Sequence, residues 1–278
     1  MPAVWPEISD VDQRLAPFEK RVFAAVLKSF EQRDNPMRTN NFATGLRELS
    51  RIVLDRLASE RQIKGCRWFR QELDALSRPI ITRAQRIKYA VQAGLSDDFV
   101  VNTLQVDVDE TIAKFAELIK ELNKFTHVGH STFEIDAVLA DELAQKALKT
   151  FTLLFETIDG CRSEVANALE SAATDALSDE LIKSTIEALD QIATHYYIDG
   201  ANVDGLKLKY MGPDEIKFEA SGSVDCVLQY GSDGDYRRGD GVRVNDSYPF
   251  TCELTADTAE PLRLQVDSLR VDNSSFYE

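Results

Sequence analysis

The sequence has few of the patterns that identify secreted, membrane-bound or zinc-binding proteins. Its four cysteines are widely separated, without the close spacing of a zinc site or a dense disulfide framework, which predicts reduced structural thiols. No apolar run approaches the roughly 18 residues that a membrane span needs. The segment Met1–Asp10 lacks the basic region and apolar stretch of a signal peptide. We therefore expect a cytoplasmic protein with no membrane partner.

The charge of the chain is strongly acidic but unevenly distributed. The net charge is −15, made up of +4 in residues 1–100, −11 in residues 101–197 and −8 in residues 198–278. The segment Arg38–Lys88 alone holds twelve basic residues and five acidic ones. Because an acidic protein is repelled by nucleic acid as a whole, any nucleic-acid contact should be focused on this segment. Alternatively, these basic residues pair with the acidic middle segment.

Hydrophobic periodicity divides the 278 residues near position 196. Before it, apolar residues recur at helical spacing, and helices are predicted over residues 40–57, 82–95, 109–127, 132–158, 161–175 and 178–194. After it, apolar and polar residues alternate in about six short strands, with turns at 212–213, 221–222 and 239–241. The predicted fold class is α+β, with an N-terminal helical bundle (1–195) followed by a small C-terminal antiparallel β-sandwich or open barrel (196–278).

Two of the three histidines lie in the stretch Glu121–His130, at the end of a predicted helix. Gly129 is predicted to end this helix. Histidine exchanges protons near neutral pH, so His127, Asn123 and Lys124 have the composition of an acid/base site. We expect residues 40–57 and 82–95 to pack near the end of the 109–127 helix and to supply positive charge for nucleic acid from Arg47, Arg51, Arg83, Arg86 and Lys88. An ordinary helix C-terminus with cationic residues is the structural alternative.

A second candidate site lies in the strand region. Asp204 is followed by Glu215 and Lys217, a spacing found in metal-dependent nucleases, where two carboxylates hold a divalent cation and a lysine assists. Alternation along a strand puts Glu215 and Lys217 on one face, as it does for any solvent-facing pair. Mg²⁺ would be the cofactor of this site, whereas the histidine site would need none. The acidic loop 233–241 is predicted to be a solvated hairpin turn rather than a calcium site.

The segment Leu122–His127 resembles the motif of the HEPN-like helical bundles. In that motif an arginine, a polar residue and a histidine cleave RNA in a dimer cleft. Asn123 and His127 occupy motif positions, but Leu122 stands where the arginine belongs. A leucine cannot hold the scissile phosphate, so the positive charge would have to come from the Arg38–Lys88 segment.

A broader resemblance runs from about residue 40 to the end of the chain. It is carried by the segments Thr82–Phe99, Glu121–Val128, Tyr230–Asp235, Ser247–Thr251 and Val271–Glu278, which resemble bacterial predicted pPIWI-associating nucleases. The resemblance implies a nuclease of a prokaryotic anti-phage defence system, with RNA favoured over DNA as substrate. The alternative to a nuclease is a non-catalytic adaptor or sensor. It would bind a partner protein of such a system, or a ligand, through the β domain. A homo-oligomer is compatible with either function.

Overall fold

A computed structural model describes residues 5–183 and 186–277 of the chain. Met1–Val4 of the amino-terminal segment, Ser184 and Thr185 of the predicted 178–194 helix, and Glu278 lie outside this description. The chain divides into two compact units, Met1–Arg162 and Ser163–Glu278. Among the helices of residues 5–183 and 186–277, none is long and apolar enough to cross a membrane.

The first unit is built mainly from helices. These are α1 (Pro6–Arg14), α2 (Pro17–Phe30), α3 (Arg38–Leu57), α4 (Glu60–Gly65), α5 (Arg83–Gln92), α6 (Val108–Phe125) and α7 (Ala137–Lys183), which continues into the second unit. A short antiparallel hairpin, β1 (Glu72–Leu73) with β2 (Pro79–Ile80), separates α4 from α5. A π-helical segment, Phe99–Thr103, precedes α6.

Helix α3 is the centre of this unit, since it contacts α2, α5 and α6. Its apolar residues recur every three or four positions, so they form one continuous stripe that is fully buried: Phe42, Leu46, Leu49 and Val53. Helix α6 buries a similar stripe of Phe115, Leu118 and Leu122. Asp107 caps α6 by accepting a hydrogen bond from the Glu110 amide at 2.8 Å. The helical prediction for 109–127 is confirmed up to Phe125.

A buried ion pair joins α2 to α3. The Glu19 carboxylate is 2% exposed and accepts hydrogen bonds from Arg56 Nε at 2.7 Å and Nη2 at 3.0 Å. The same carboxylate also accepts from the Ala16 amide at 2.8 Å, at the start of α2. A buried carboxylate is tolerated only when its oxygens are satisfied in this way. Arg56, one of the twelve basic residues of the Arg38–Lys88 segment, therefore joins two helices of the fold.

The second unit contains one four-stranded antiparallel sheet. Its strands are β3 (His195–Met211), β4 (Glu215–Tyr230), β5 (Val242–Asp257) and β6 (Gln265–Val271), in the spatial order β3-β4-β5-β6. Two short helices accompany it, α8 (Glu187–Asp190) before β3 and α9 (Asp233–Arg238) between β4 and β5. The α+β fold class is confirmed, and strand structure begins at the predicted position, but the sheet is not closed into a barrel.

Strict alternation along β4 explains which face of the sheet is buried. Its buried apolar side chains are Ile216, Phe218, Ala220, Val224, Cys226 and Leu228. Residues between them, such as Lys217 and Glu219, are exposed. This pattern of a buried face and a polar face is typical of antiparallel sheets.

The strands are longer than the sequence predicts. Ser221 and Gly222, predicted as a turn, lie inside β4 and pair with Thr251 and Phe250 of β5. A side chain at position 222 would overlap the Asn202 carbonyl of β3. Glycine is therefore required here because the neighbouring backbone approaches closely, and not because the chain turns.

The predicted helices 132–158 and 161–175 form one helix, α7, which begins at Ala137 and is described as far as Lys183. Gly160 does not interrupt it, and Ser178 lies inside it and does not cap a new helix. A buried apolar series with three- and four-residue spacing continues past both positions: Phe155, Ile158, Cys161, Val165, Leu169, Ala173, Leu177 and Leu181. A glycine costs a helix only about 1 kcal/mol, which the burial of such a series outweighs.

Replacement of Gly222 by alanine tests the close approach of β3 to β4. We expect Gly222→Ala to lower the free energy of unfolding by about 3 kcal/mol, because the added methyl group meets the Asn202 carbonyl. Gly200→Ala is the matched control in β3, where no atom lies within 4 Å of the added carbon, and its effect should stay within about 1 kcal/mol. Denaturant unfolding of both variants makes the comparison; equal stabilities would contradict the explanation.

Candidate nucleic-acid interface

The C-terminal end of α6 is held by a side chain of α3. Asn40 Nδ2 donates a hydrogen bond to the Phe125 carbonyl at 2.8 Å, and Asn40 is only 3% exposed. The last carbonyls of a helix have no partner within the helix, so an external donor stabilises its end. The expectation that residues 40–57 pack near the end of the 109–127 helix is therefore confirmed.

Arg47 of α3 contacts Asn123 of α6. Arg47 Nη1 donates to Asn123 Oδ1 at 3.2 Å, while Nη2 lies 3.5 Å from a carboxylate oxygen of Glu48. Asn40 and Arg47 are seven residues apart and thus lie on the same face of α3. Leu122, in contrast, is fully buried in the core. The motif position that lacks an arginine therefore points into the protein, and a guanidinium from another helix lies beside the next residue.

A second guanidinium, that of Arg83, interacts electrostatically with Arg47. Arg83 is exposed at the first position of α5, directly after the capping residue Thr82. Desolvation and then the positive charge of Arg47 lower the pKa of Arg83, and the charge of Glu48 partly opposes them. Arginine remains charged at neutral pH in spite of such a shift. The charges of Arg47, Arg83 and Glu48 therefore influence one another.

The other three predicted nucleic-acid residues have acidic partners nearby. Arg51 pairs with Glu48 at 3.1 Å and with Asp55 at 3.0 Å. Arg86 pairs with Asp55 at 3.2 Å and donates to the Ala58 carbonyl at 2.6 Å.

Lys88 pairs with Asp97 at 2.7 Å and lies 4.9 Å from the centre of the Trp68 ring. Most of these partners belong to the first hundred residues and not to the acidic middle segment. Arg38 does pair with a residue of the middle segment, Asp141, at 3.8 Å. The charge available for nucleic acid is therefore smaller than the sequence count suggests.

His127 and His130 lie in an exposed loop beyond the end of α6. The helix ends at Phe125, where the Thr126 hydroxyl donates to the Asn123 carbonyl at 2.9 Å, so the prediction that Gly129 ends the helix is wrong. Thr132 Oγ1 donates to the His127 carbonyl at 2.9 Å and orders the loop. His127 follows Asn123 by four residues, which limits the separation of their Cα atoms to about 14 Å. Lys124 is exposed in the last turn of α6.

The predicted β site is not a compact cluster. Asp204 lies in a bulge of β3, between residues that pair with Gly222 and Ser221 of β4. Glu215 is the first residue of β4, about 20 Å away along the strand at about 3.3 Å per residue. Glu215 instead pairs with Lys217 at 3.2 Å.

Two carboxylates at that separation cannot bind the same cation, because metal–oxygen bonds are about 2 Å long. Among the described residues, no group of three or more histidine, cysteine, aspartate or glutamate side chains is placed to hold a metal ion. Local alternation could not reveal this separation, since it depends on where β3 folds back onto β4.

Asn40 is the contributor to the interface that sequence reasoning did not single out. A polar residue seven positions before Arg47, and therefore on the same face of the helix, was its signal in the sequence. Its partner is a backbone carbonyl 85 residues away, which no local pattern could indicate.

Two family models match the chain, one over residues 12–151 and one over residues 158–277, and both describe a predicted pPIWI-associating nuclease. The chain therefore belongs to the family of predicted pPIWI-associating nucleases. No curated protein and no solved structure shows a significant match to it.

Replacement of Asn40 by alanine tests the anchor of α6. We expect Asn40→Ala to reduce stability by about 2 kcal/mol and to speed amide hydrogen exchange over residues 123–128, because the Phe125 carbonyl loses its donor. Asn41→Ala changes the neighbouring, exposed asparagine and should leave both quantities close to wild type. Similar effects in the two variants would show that the hydrogen bond has no special role.

Proposed function

We propose that this protein is an RNA-cleaving nuclease whose site lies at the end of α6. The family supports a nuclease, and the observation that carries the site is the hydrogen bond between Arg47 and Asn123. It brings a guanidinium to a stretch whose own arginine position is occupied by the buried Leu122. Arg47 thereby supplies from a second helix the charge that the motif lacks.

The phosphate is held, in this proposal, by Arg47 and Arg83. Guanidinium groups bind phosphate oxygens in a bidentate manner, and two of them offset the charge that develops on the phosphorus oxygens during cleavage. A bound phosphate would also relieve the mutual repulsion that contributes to the lowered pKa of Arg83. Lys124 adds a further positive charge in the last turn of α6.

His127 is proposed as the general base. It takes the proton of the ribose 2′-hydroxyl, whose oxygen then attacks the adjacent phosphorus and displaces the 5′-oxygen, which is protonated by solvent. The products are a 2′,3′-cyclic phosphate and a 5′-hydroxyl. The nucleophile belongs to the substrate, so this chemistry needs RNA and requires no cofactor.

The family description also names an association with pPIWI proteins. We propose that this chain acts with such a partner in prokaryotic anti-phage defence, where a regulated RNase would be useful only after invasion is sensed. A homodimer would follow the arrangement of the HEPN-like bundles, in which two copies form the cleft.

A non-catalytic adaptor or sensor is the second candidate. Two observations favour it. The motif position of the arginine is occupied by the buried Leu122, and His127 lies beyond the end of α6. Such a protein would keep the nucleic-acid or partner contact without cleavage.

Cleavage assays with the full chain separate these functions. Labelled RNA and DNA of the same sequence are incubated with the wild type in EDTA or in Mg²⁺. We expect metal-independent RNA cleavage that leaves cyclic phosphate ends. It should fall by about 100-fold or more in His127→Ala and Arg47→Ala, because each removes one proposed role in the transition state.

Matched controls are available for both positions. His130→Ala alters the other histidine of the loop, and Arg51→Ala alters an arginine of α3 that is paired with Glu48 and Asp55, so both should retain activity. Mg²⁺-dependent cleavage lost only in Glu215→Ala would move the site to the sheet. Absence of cleavage under all conditions would leave the adaptor function.

A further inference from the structure

The hairpin formed by β1 and β2 exposes two apolar side chains. Leu73 is 59% exposed, and Leu76, at the tip, is 71% exposed, the highest value among the large apolar side chains of the described residues. The tip belongs to residues 74–78, which connect the two short strands. An exposed apolar side chain gains free energy when a partner removes it from water.

The tip is rigidly held by Asp74. Its Oδ1 accepts hydrogen bonds from the amides of Leu76 at 2.8 Å and Arg78 at 2.9 Å, and its Oδ2 lies 2.7 Å from the Arg78 guanidinium. Ser77 adopts a φ of 58°, in the left-handed region, and its amide donates to the Asp74 carbonyl at 2.9 Å. Leu76 is thus presented in a fixed position, which lowers the entropy lost on binding.

The base of the hairpin is attached to α5. Gln85 Nε2 donates to the Arg70 carbonyl at 2.7 Å, and Gln71 Nε2 donates to the Ile80 carbonyl at 3.0 Å. Gln85 lies in the first turn of α5, which begins with Arg83. Arg83 follows Leu76 by seven residues, so their Cα atoms are at most about 25 Å apart. That distance corresponds to about seven base-pair steps of a duplex.

The surroundings of the hairpin are basic although the protein is acidic. Residues 60–83 contain six basic and three acidic residues in a chain of net charge −15. Arg70, next to β1, is exposed and donates to the carbonyls of Arg67 and Phe69, which bear no formal charge. Positive charge around an apolar tip matches a polyanion with an apolar interior, which is the chemistry of base-paired nucleic acid.

We propose that Leu76 is a wedge that inserts between base pairs of a duplex while Arg70 and its basic neighbours contact the phosphates. Proteins that bend or open duplexes use leucine and similar apolar side chains in this way, next to arginines and lysines. The proposal rests on the proposed nuclease function and deepens it, since the substrate becomes a base-paired segment that the hairpin opens beside Arg83 and Arg47.

The test measures binding separately from cleavage. The probes are RNA and DNA duplexes of about 20 base pairs with one central 2-aminopurine, a base whose fluorescence rises when it is unstacked. The protein is the full chain carrying His127→Ala, so that the probe is not cut. We expect duplex binding with increased fluorescence, and in the Leu76→Ser derivative an affinity about tenfold weaker with no increase. The RNA and DNA arms identify which duplex is bound.

Leu262→Ser is the matched control, because Leu262 is also a loop leucine, 53% exposed, in the other unit. It should bind and unstack the probe as the parent does. Circular dichroism and thermal unfolding check that Leu76→Ser remains folded, and Leu76→Met should restore the fluorescence increase by supplying an apolar side chain of similar size. The proposal that Leu76 is a wedge would be overturned if the serine variants at positions 76 and 262 showed the same affinity and the same fluorescence increase. It would also be overturned if neither duplex were bound at low salt.

Failure of the proposed nuclease function has a different outcome. If His127→Ala and Arg47→Ala leave cleavage unchanged while Leu76→Ser abolishes unstacking, the wedge stands and the catalytic assignment falls. If cleavage of unpaired RNA depends on His127 but Leu76→Ser unstacks the duplex normally, the reverse holds.

Discussion

The hydrogen bond from Asn40 to the Phe125 carbonyl is the constraint on which the proposed site depends. It ties the end of α6 to α3, and one heptad further along the same face of α3 the Arg47 guanidinium reaches Asn123. The apolar stripes of the two helices bury Leu46 and Leu122 completely and hold the helices side by side. With this junction in place, a side chain of α3 supplies charge to a motif on α6.

Electrostatic pairing then decides which of the many basic residues remain available. The chain carries 32 lysines and arginines, but several of those in its basic segment are engaged by nearby carboxylates. Arg56 supports the buried Glu19, and Arg86 joins Asp55 to the end of α3. Exposed ion pairs such as that of Arg51 with Asp55 contribute little stability each, yet like the buried pair they weaken the local positive field that would attract nucleic acid. The positive charge that remains for nucleic acid lies mainly near Arg47, Arg83 and the β1–β2 hairpin.

Two glycines show how tertiary packing overrides local signals. Gly222 and Gly160 both interrupt the sequence pattern, and both lie inside continuous elements. At Gly222 the reason is the close backbone of β3, whereas at Gly160 it is the buried apolar series that continues along α7. A glycine indicates a break only where no neighbouring element needs the space or the continuity.

The sequence by itself determined the α+β class, the change from helix to strand near residue 196, and the helices that meet at the candidate site. These follow from periodicity, because a residue's spacing to its apolar neighbours defines the face that it shares with them. Tertiary structure alone decided that Arg47 meets Asn123, that Arg51, Arg86 and Lys88 are paired elsewhere, and that Asp204 lies far from Glu215. Those outcomes depend on contacts between residues distant in the chain, whose geometry is set by packing and strand register rather than by local spacing.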